Sequence, residues 1–320
     1  VTFSRLVKNE LARIEPSKRC CRLAELSAII HMDGALHIKN KSYALHTVTE
    51  NAATARMTVK LFTELFRLDT EVTTRRALLQ KTNNYVVYIA PQPGLDQALN
   101  ELGILDDSMQ IEYGILPRLV SRECCAIAYL RGSFLGGGFV SDPQKEHHFE
   151  LTTENGAHAD DLEVLLRKSG FPAKISKRKR NFAVYLTESE AMARFLALVG
   201  AHSAHLKWED VAIVREMRNR VNRLVNCETA NLNKTIEAAL SQINDIVVIE
   251  EEVGLGVMPR GLQEIAQARI EHPYVSLEEL GELCRPSLSK SAVYHRIKRL
   301  SKMAEDLRSM SKNSLNRLAN

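Results

Sequence analysis

No apolar run in the 320 residues approaches the roughly 20 needed to span a bilayer. The first stretch, VTFSRLVKNELARIE, is charged throughout. Neither a membrane partner nor a signal peptide is expected, and the expected location is cytoplasmic. No Cys-x-x-Cys occurs. The six cysteines stand as two adjacent pairs, Cys20–Cys21 and Cys124–Cys125, plus Cys227 and Cys284. Neighbours on a helix point about 100° apart, so a pair does not make a metal site by itself. The expectation is six reduced packing cysteines, with no metal and no cofactor. Net charge is also scarce, at +4. Any nucleic-acid surface must therefore come from segregation of charge rather than from overall basicity. At 45% hydrophobic the chain can bury substantial cores, enough for two or three domains.

What the chain does have is a stretch that occurs twice. CCRLAELSAIIHMDGAL starts at Cys20, and CCAIAYLRGSFLGGGFV starts 104 residues later at Cys124. The offset persists: Thr49, Glu50 and Asn51 fall on Thr153, Glu154 and Asn155. A repeat this long means two copies of one structural unit. Each copy opens as a helix with small residues four apart, Ala24 and Ala28 in one, Ala128 and Gly132 in the other. Such residues share a face and allow two helices to approach closely. The expected pair packs across a pseudo-twofold axis.

Leu26 to Gly34 (LSAIIHMDG) and Leu130 to Gly138 (LRGSFLGGG) resemble two degenerate copies of the motif of the LAGLIDADG homing endonucleases. The resemblance implies an acidic metal ligand at the next-to-last position of each motif. Here those positions are Asp33 and Gly137. Cleavage of two strands needs charge neutralisation and an activated water at each phosphate, and glycine supplies no ligand. The expectation is a vestigial site and no enzyme.

Hydrophobic periodicity places an amphipathic helix over 3–14, then helix, hairpin, helix, hairpin, helix in each repeat. The fold class expected is α+β, two αββαββα repeats, whose sheets the LAGLIDADG resemblance implies form a saddle. The domains expected are 1–104, 105–205, a helical linker over 206–257, and 258–320. Within the linker the spacing predicts a helix over 207–226, a polar interruption over 226–235 (NCETANLNKT), a further helix, and a break at EEEVGLGVMP. The basic run from Lys174 through Lys177, Arg178 and Lys179 to Arg180 sits on the second hairpin of repeat two. Arg75, Arg76 and Lys81 occupy the related hairpin of repeat one. These are candidate DNA-backbone contacts or a solvated hairpin tip. His147 and His148 read as surface residues.

The last 60 residues carry a helix-turn-helix pattern. Ser276 with Glu279 makes a capping box, followed by Leu277, Leu280 and Leu283 at helical spacing. CRPSL forms the turn, and Ser289 is the N-cap of a third helix. On that helix Val293, Ile297 and Leu300 face one way; Ser291, His295, Lys298 and Lys302 face the other, with Tyr294 and Arg299 at the edges. The DNA-binding residues expected are Ser276, Ser289, Lys290, Ser291, Tyr294, His295, Lys298, Arg299 and Lys302. From Asp245 to Arg285 there are nine acidic and three basic residues; from Pro286 onward there are two and eight. The sign of charge changes at the turn that opens the recognition helix.

The LAGLIDADG-like repeats, the NRLVNCETANLNKT stretch and this terminal domain together resemble the WhiA family of bacterial transcription regulators. The terminal domain resembles region 4 of sigma factors. The resemblance implies promoter DNA, RNA polymerase holoenzyme with its sigma factor, and a WhiB-type regulator as partners. It also implies a nucleoid-associated role in sporulation or cell division. Two other readings stand beside it, an active homing endonuclease or nickase, and a protein or RNA interaction scaffold.

Overall fold

The structure is a computed structural model and describes residues 2–39, 42–76 and 83–318. It divides into two compact units, 1–215 and 216–320.

In the first unit, α1 (Phe3–Leu11) precedes the motif helix α2 (Arg19–Asp33). The first repeat continues with β1 (Gly34–Lys39), β2 (Ser42–Thr49), α3 (Ala52–Phe66), β3 (Glu71–Arg76), β4 (Asn83–Ile89) and α4 (Leu95–Glu101). A short helix α5 (Pro117–Val120) leads to the second motif helix, α6 (Glu123–Gly137). Then follow β5 (Gly138–Val140), β6 (Phe149–Thr153), α7 (Gly156–Lys168), β7 (Lys174–Lys177), β8 (Phe182–Leu186) and α8 (Ser189–Val199). The antiparallel sheets have matching strand orders, β1-β2-β4-β3 and β5-β6-β8-β7. The fold is thus mixed α+β, with each repeat in the expected order.

The Thr-Glu-Asn signature shared by the repeats has a local cause. Asn51 accepts hydrogen bonds from Ala53 N and Thr54 N, and Asn155 from Ala157 N and His158 N. Each asparagine caps its helix and satisfies backbone donors that the helix itself leaves free.

The two motif helices pack on each other through the core of this unit. A Cβ built on Gly132 would lie 2.3 Å from Glu25 O, so only glycine permits that approach. Beside it Arg131 donates from Nε to Glu25 Oε1 at 2.7 Å and from Nη2 to Oε2 at 3.0 Å. Both side chains are buried. A buried charge is tolerated only when paired, and this bidentate bond spans the repeat interface.

The helix α9 (His202–Glu252) runs without a break. The polar interruption expected over 226–235 is therefore absent. Asn, Thr and Cys are weak helix formers, but they do not stop a helix as Pro or Gly does, and the 51 residues of α9 contain neither. The separate break expected within EEEVGLGVMP is present, at Gly254, where φ is +80°.

In the second unit α10 (Arg260–Glu271), α11 (Leu277–Leu283) and α12 (Lys290–Leu318) enclose a separate core. Leu262, Ile265, Leu280, Val293, Ile297 and Leu300 belong to it, joined by Ile246 and Ile249 of α9. Leu283 does not; it is 47% exposed, being the last residue of a helix of two turns.

Candidate nucleic-acid interface and motif centre

The motif helices end at equivalent places. Asp33 closes α2 and Gly137 closes α6. Both line a cleft of about 1060 Å³ with Lys8, Glu50, Arg76 and Phe139 among its walls. Burial pushes the Asp33 carboxyl up to about 7, with Glu154 adding to the shift and the Lys8 ammonium opposing it. Burial likewise lowers the pKa of Lys8, against the pull of Asp33 and Glu50. Lys8 Nζ donates to Gly136 O at 3.2 Å. Opposite Asp33 there is no room for an acid: a Cβ on Gly137 would stand 2.4 Å from both Met32 Cε and Thr152 O. The divalent metal chemistry of homing endonucleases needs an ionised carboxylate from each helix. Only one of the two helices supplies a carboxyl, and the equivalent position on the other has no room for a second.

His31 is drawn away from this centre. Its Nδ1 bonds Ser27 O at 3.0 Å and its ring stacks on His158 at 5.0 Å. Burial lowers both imidazole pKa values, so the stack is neutral.

The helix-turn-helix is built from α10, α11 and α12. The Ser276 hydroxyl accepts from Glu279 N while Glu279 Oε2 accepts from Ser276 N, completing the capping box. Leu288 N donates to Gly281 O at 2.9 Å across the turn, and Ser289 Oγ accepts from Ala292 N at 3.3 Å. Ser276 and Ser289 therefore spend their hydroxyls on the ends of α11 and α12. Ser291, His295, Lys298, Arg299 and Lys302 lie exposed on one surface of α12, with Tyr294 beside them at 51% exposure. The Tyr294 and His295 rings meet edge to face at 5.8 Å. Lys290 is 3.9 Å from Glu278. Arg296 turns inward and donates to Gly261 O at 3.0 Å, so it fastens α12 to α10.

The basic hairpin is less uniform than its sequence. Lys174, Lys179 and Arg180 are exposed. Lys177 Nζ lies 5.7 Å above the Phe182 ring. Arg178 is held in a two-pronged ion pair with Glu150. Arg75 and Arg76 are exposed on β3, and Lys81 falls outside the described residues. His148 is exposed, but His147 is half-buried: Arg215 bonds its Nε2 at 2.7 Å and Trp208 covers its ring.

The structure also brings together residues that spacing along the chain did not. The sulfurs of Cys20, Cys21, Cys124 and Cys125 all lie within 4.8 Å of one another. The signal that could have found them is the repeat itself. Two pairs at equivalent positions on helices related by a pseudo-twofold axis must converge if they lie near that axis.

A degenerate LAGLIDADG-like pair and a helix-turn-helix domain in one chain define a class, that of DNA-binding regulators built on a nuclease-like frame. Three family profiles match within the chain: the WhiA N-terminal LAGLIDADG-like domain over 19–105, the WhiA LAGLIDADG-like domain over 126–218, and the WhiA C-terminal HTH domain over 221–304. The chain belongs to the WhiA family. It is 47% identical over 312 residues to the probable cell division protein WhiA of Desulforamulus reducens, covering 97% of each chain. It is 40% identical to the protein of the same name from Clostridium botulinum, covering 96% of this chain and 99% of the relative. The crystal structure of full-length WhiA from Thermotoga maritima has the same fold, with TM-score 0.60 and 23% identity over 96% of this chain and 99% of that one.

Proposed function

We propose that the chain is a sequence-specific DNA-binding transcription regulator that reads promoters through α12. One observation carries the reading. The outward face of α12 presents Ser291, Tyr294 and His295 early and Lys298, Arg299 and Lys302 later, while its inward face is locked into the core. An apolar stripe backed by a basic, hydrogen-bonding stripe suits a helix lying in the major groove. Ser291 and His295 then meet base edges, and Lys298, Arg299 and Lys302 meet phosphates. Lys290, which faces Glu278, and the capping residues Ser276 and Ser289 lie at the entrance to the groove. Family resemblance adds RNA polymerase holoenzyme and a WhiB-type regulator as partners. The relatives' name supports a role in cell division, and sporulation comes from resemblance alone.

Binding of His295→Ala and Lys302→Ala to a cognate and a scrambled site, across a salt series, tests this. His295→Ala should cost roughly 1–3 kcal/mol on the cognate site and relax specificity at one position. Lys302→Ala should weaken both sites alike and flatten the salt slope by about one contact. The reverse pattern means that α12 docks the other way.

The LAGLIDADG-like repeats do not cut DNA in this proposal, because the position opposite Asp33 is filled by Met32 and Thr152. Supercoiled DNA incubated with the protein and Mg²⁺ or Mn²⁺ should stay intact. Nicking that disappears in Asp33→Ala contradicts this.

A further inference from the structure

We propose that Cys20, Cys21, Cys124 and Cys125 bind one Zn²⁺ ion as a tetrathiolate site that clamps the N-terminal ends of the two motif helices. Cys20 and Cys21 are the second and third residues of α2, and Cys124 and Cys125 are the second and third of α6. Because the helices pack with like ends together, the four sulfurs converge from two helices onto one point. Zinc in such sites is tetrahedral with Zn–S near 2.3 Å, which sets neighbouring sulfurs about 3.8 Å apart. Here Cys124 Sγ and Cys125 Sγ are 4.0 Å apart, and no two of the four exceed 4.8 Å. A closure of under about 1 Å, within reach of small side-chain rotations, completes the tetrahedron.

The donor set selects the ion. Four thiolates are soft ligands, and a closed tetrahedron of them suits Zn²⁺. An iron–sulfur cluster places several iron and sulfide atoms between its thiolates and needs them farther apart than these are.

The surroundings accommodate the charge. A zinc tetrathiolate carries two negative charges, and both helices point their positive ends at it. Neither helix has a side-chain hydrogen bond at its N-cap, Lys18 or Arg122, so no acidic or hydroxyl cap competes for those backbone donors. Arg122 Nη1 lies 3.9 Å from Cys20 Sγ. Access is graded: Cys21 and Cys125 are buried, while Cys20 and Cys124 are half-exposed and leave an entry for the ion.

The site lies at the opposite ends of α2 and α6 from Asp33 and Gly137. A metal there joins residues about 100 positions apart in sequence, so its binding energy is folding energy for the pair of repeats.

The full chain, expressed with zinc in the medium and purified without chelator, should carry about one zinc per chain by elemental analysis. Replacement by Co²⁺ should give a thiolate-to-cobalt charge-transfer band and the intense visible bands of a tetrahedral site. Cys20→Ser and Cys124→Ser, both at half-exposed positions, should each lower bound zinc at least about tenfold, and Cys227→Ser should leave it unchanged. Circular dichroism checks that the variants stay folded, and the cobalt spectrum of the unaltered protein needs no variant at all. The proposal is overturned if the unaltered protein holds less than about one tenth of an equivalent of zinc and binds Co²⁺ only in octahedral form. It is equally overturned if mass analysis after alkylation finds the four cysteines joined as disulfides between the helices. A folded Cys124→Ser chain that keeps a full equivalent of zinc overturns it too.

Discussion

Asp33 shows how burial of a single carboxyl leaves a thermodynamic trace. Below the ordinary carboxylate range the folded and unfolded chains both hold its proton, so it contributes nothing to stability there. Between that range and about 7 only the folded chain holds the proton, because burial disfavours the charge. The unfolded state then binds fewer protons than the folded one, and stability falls as pH rises through this window. Above about 7 the whole cost of a buried carboxylate is present, reduced by Lys8. Asp33→Asn removes that cost. Urea denaturation should find the variant more stable than its parent by up to about 4 kcal/mol near pH 8, and nearly equal to it near pH 4. A difference of the same size at both pH values would show that titration of Asp33 is not its source. The residues that define this centre were legible in the sequence, since motif alignment sets Gly137 opposite Asp33. What fills the gap was not, because Met32 and Thr152 reach it only through packing.

At the scale of elements, legibility followed locality. The capping box of Ser276 and Glu279 and the inward stripe of α12 depend on residues within one turn of each other, and both are where the spacing puts them. Errors arose where a distant partner decides. Arg178 counts as a free cation in the run KISKRKR, but Glu150 on a neighbouring strand claims it. Arg296 is one of the eight basic residues counted from Pro286 onward, yet Gly261 O draws it inward. His147 reads as a loop residue, but Trp208 and Arg215 come from a helix some sixty residues on. The Glu25–Arg131 bond lies hidden for the same reason: each charge looks misplaced on an apolar helix until the other helix is laid against it. Removing one partner of such a pair strands a buried charge, so the two helices are matched to each other more strictly than their small residues alone require. The four cysteines are the extreme case. Chain spacing gives two pairs with poor ligand geometry, and only the packing of α2 on α6 turns two pairs into one group.

At the scale of the molecule, each unit has its own buried core, one reaching from Phe3 to Trp208 and the other from Ile246 to Ala304. That separation permits a division of labour to be tested on the parts. Residues 216–320 contain the whole recognition face proposed for α12, so under that proposal this fragment should keep the preference of the full chain for a cognate site over a scrambled one. In residues 1–215 the proposed contacts are of the backbone type: Arg75 and Arg76 on β3, with Lys174, Lys179 and Arg180 on and beyond β7, all exposed. Such contacts hold phosphates and carry no sequence information directly. This fragment should bind weakly, bind both sites alike, and lose affinity with salt at a slope near −0.9 for each phosphate neutralised. If both units engage one DNA molecule, the tether makes the second contact intramolecular, and the full chain should exceed either fragment by about 10²-fold or more without gaining specificity over 216–320. Footprinting and salt-dependent binding of the three proteins on the same fragments decide between these outcomes. If 1–215 alone reproduces the full footprint, the reading head lies in the LAGLIDADG-like repeats. The basic face of α12 would then be left to serve a partner other than DNA.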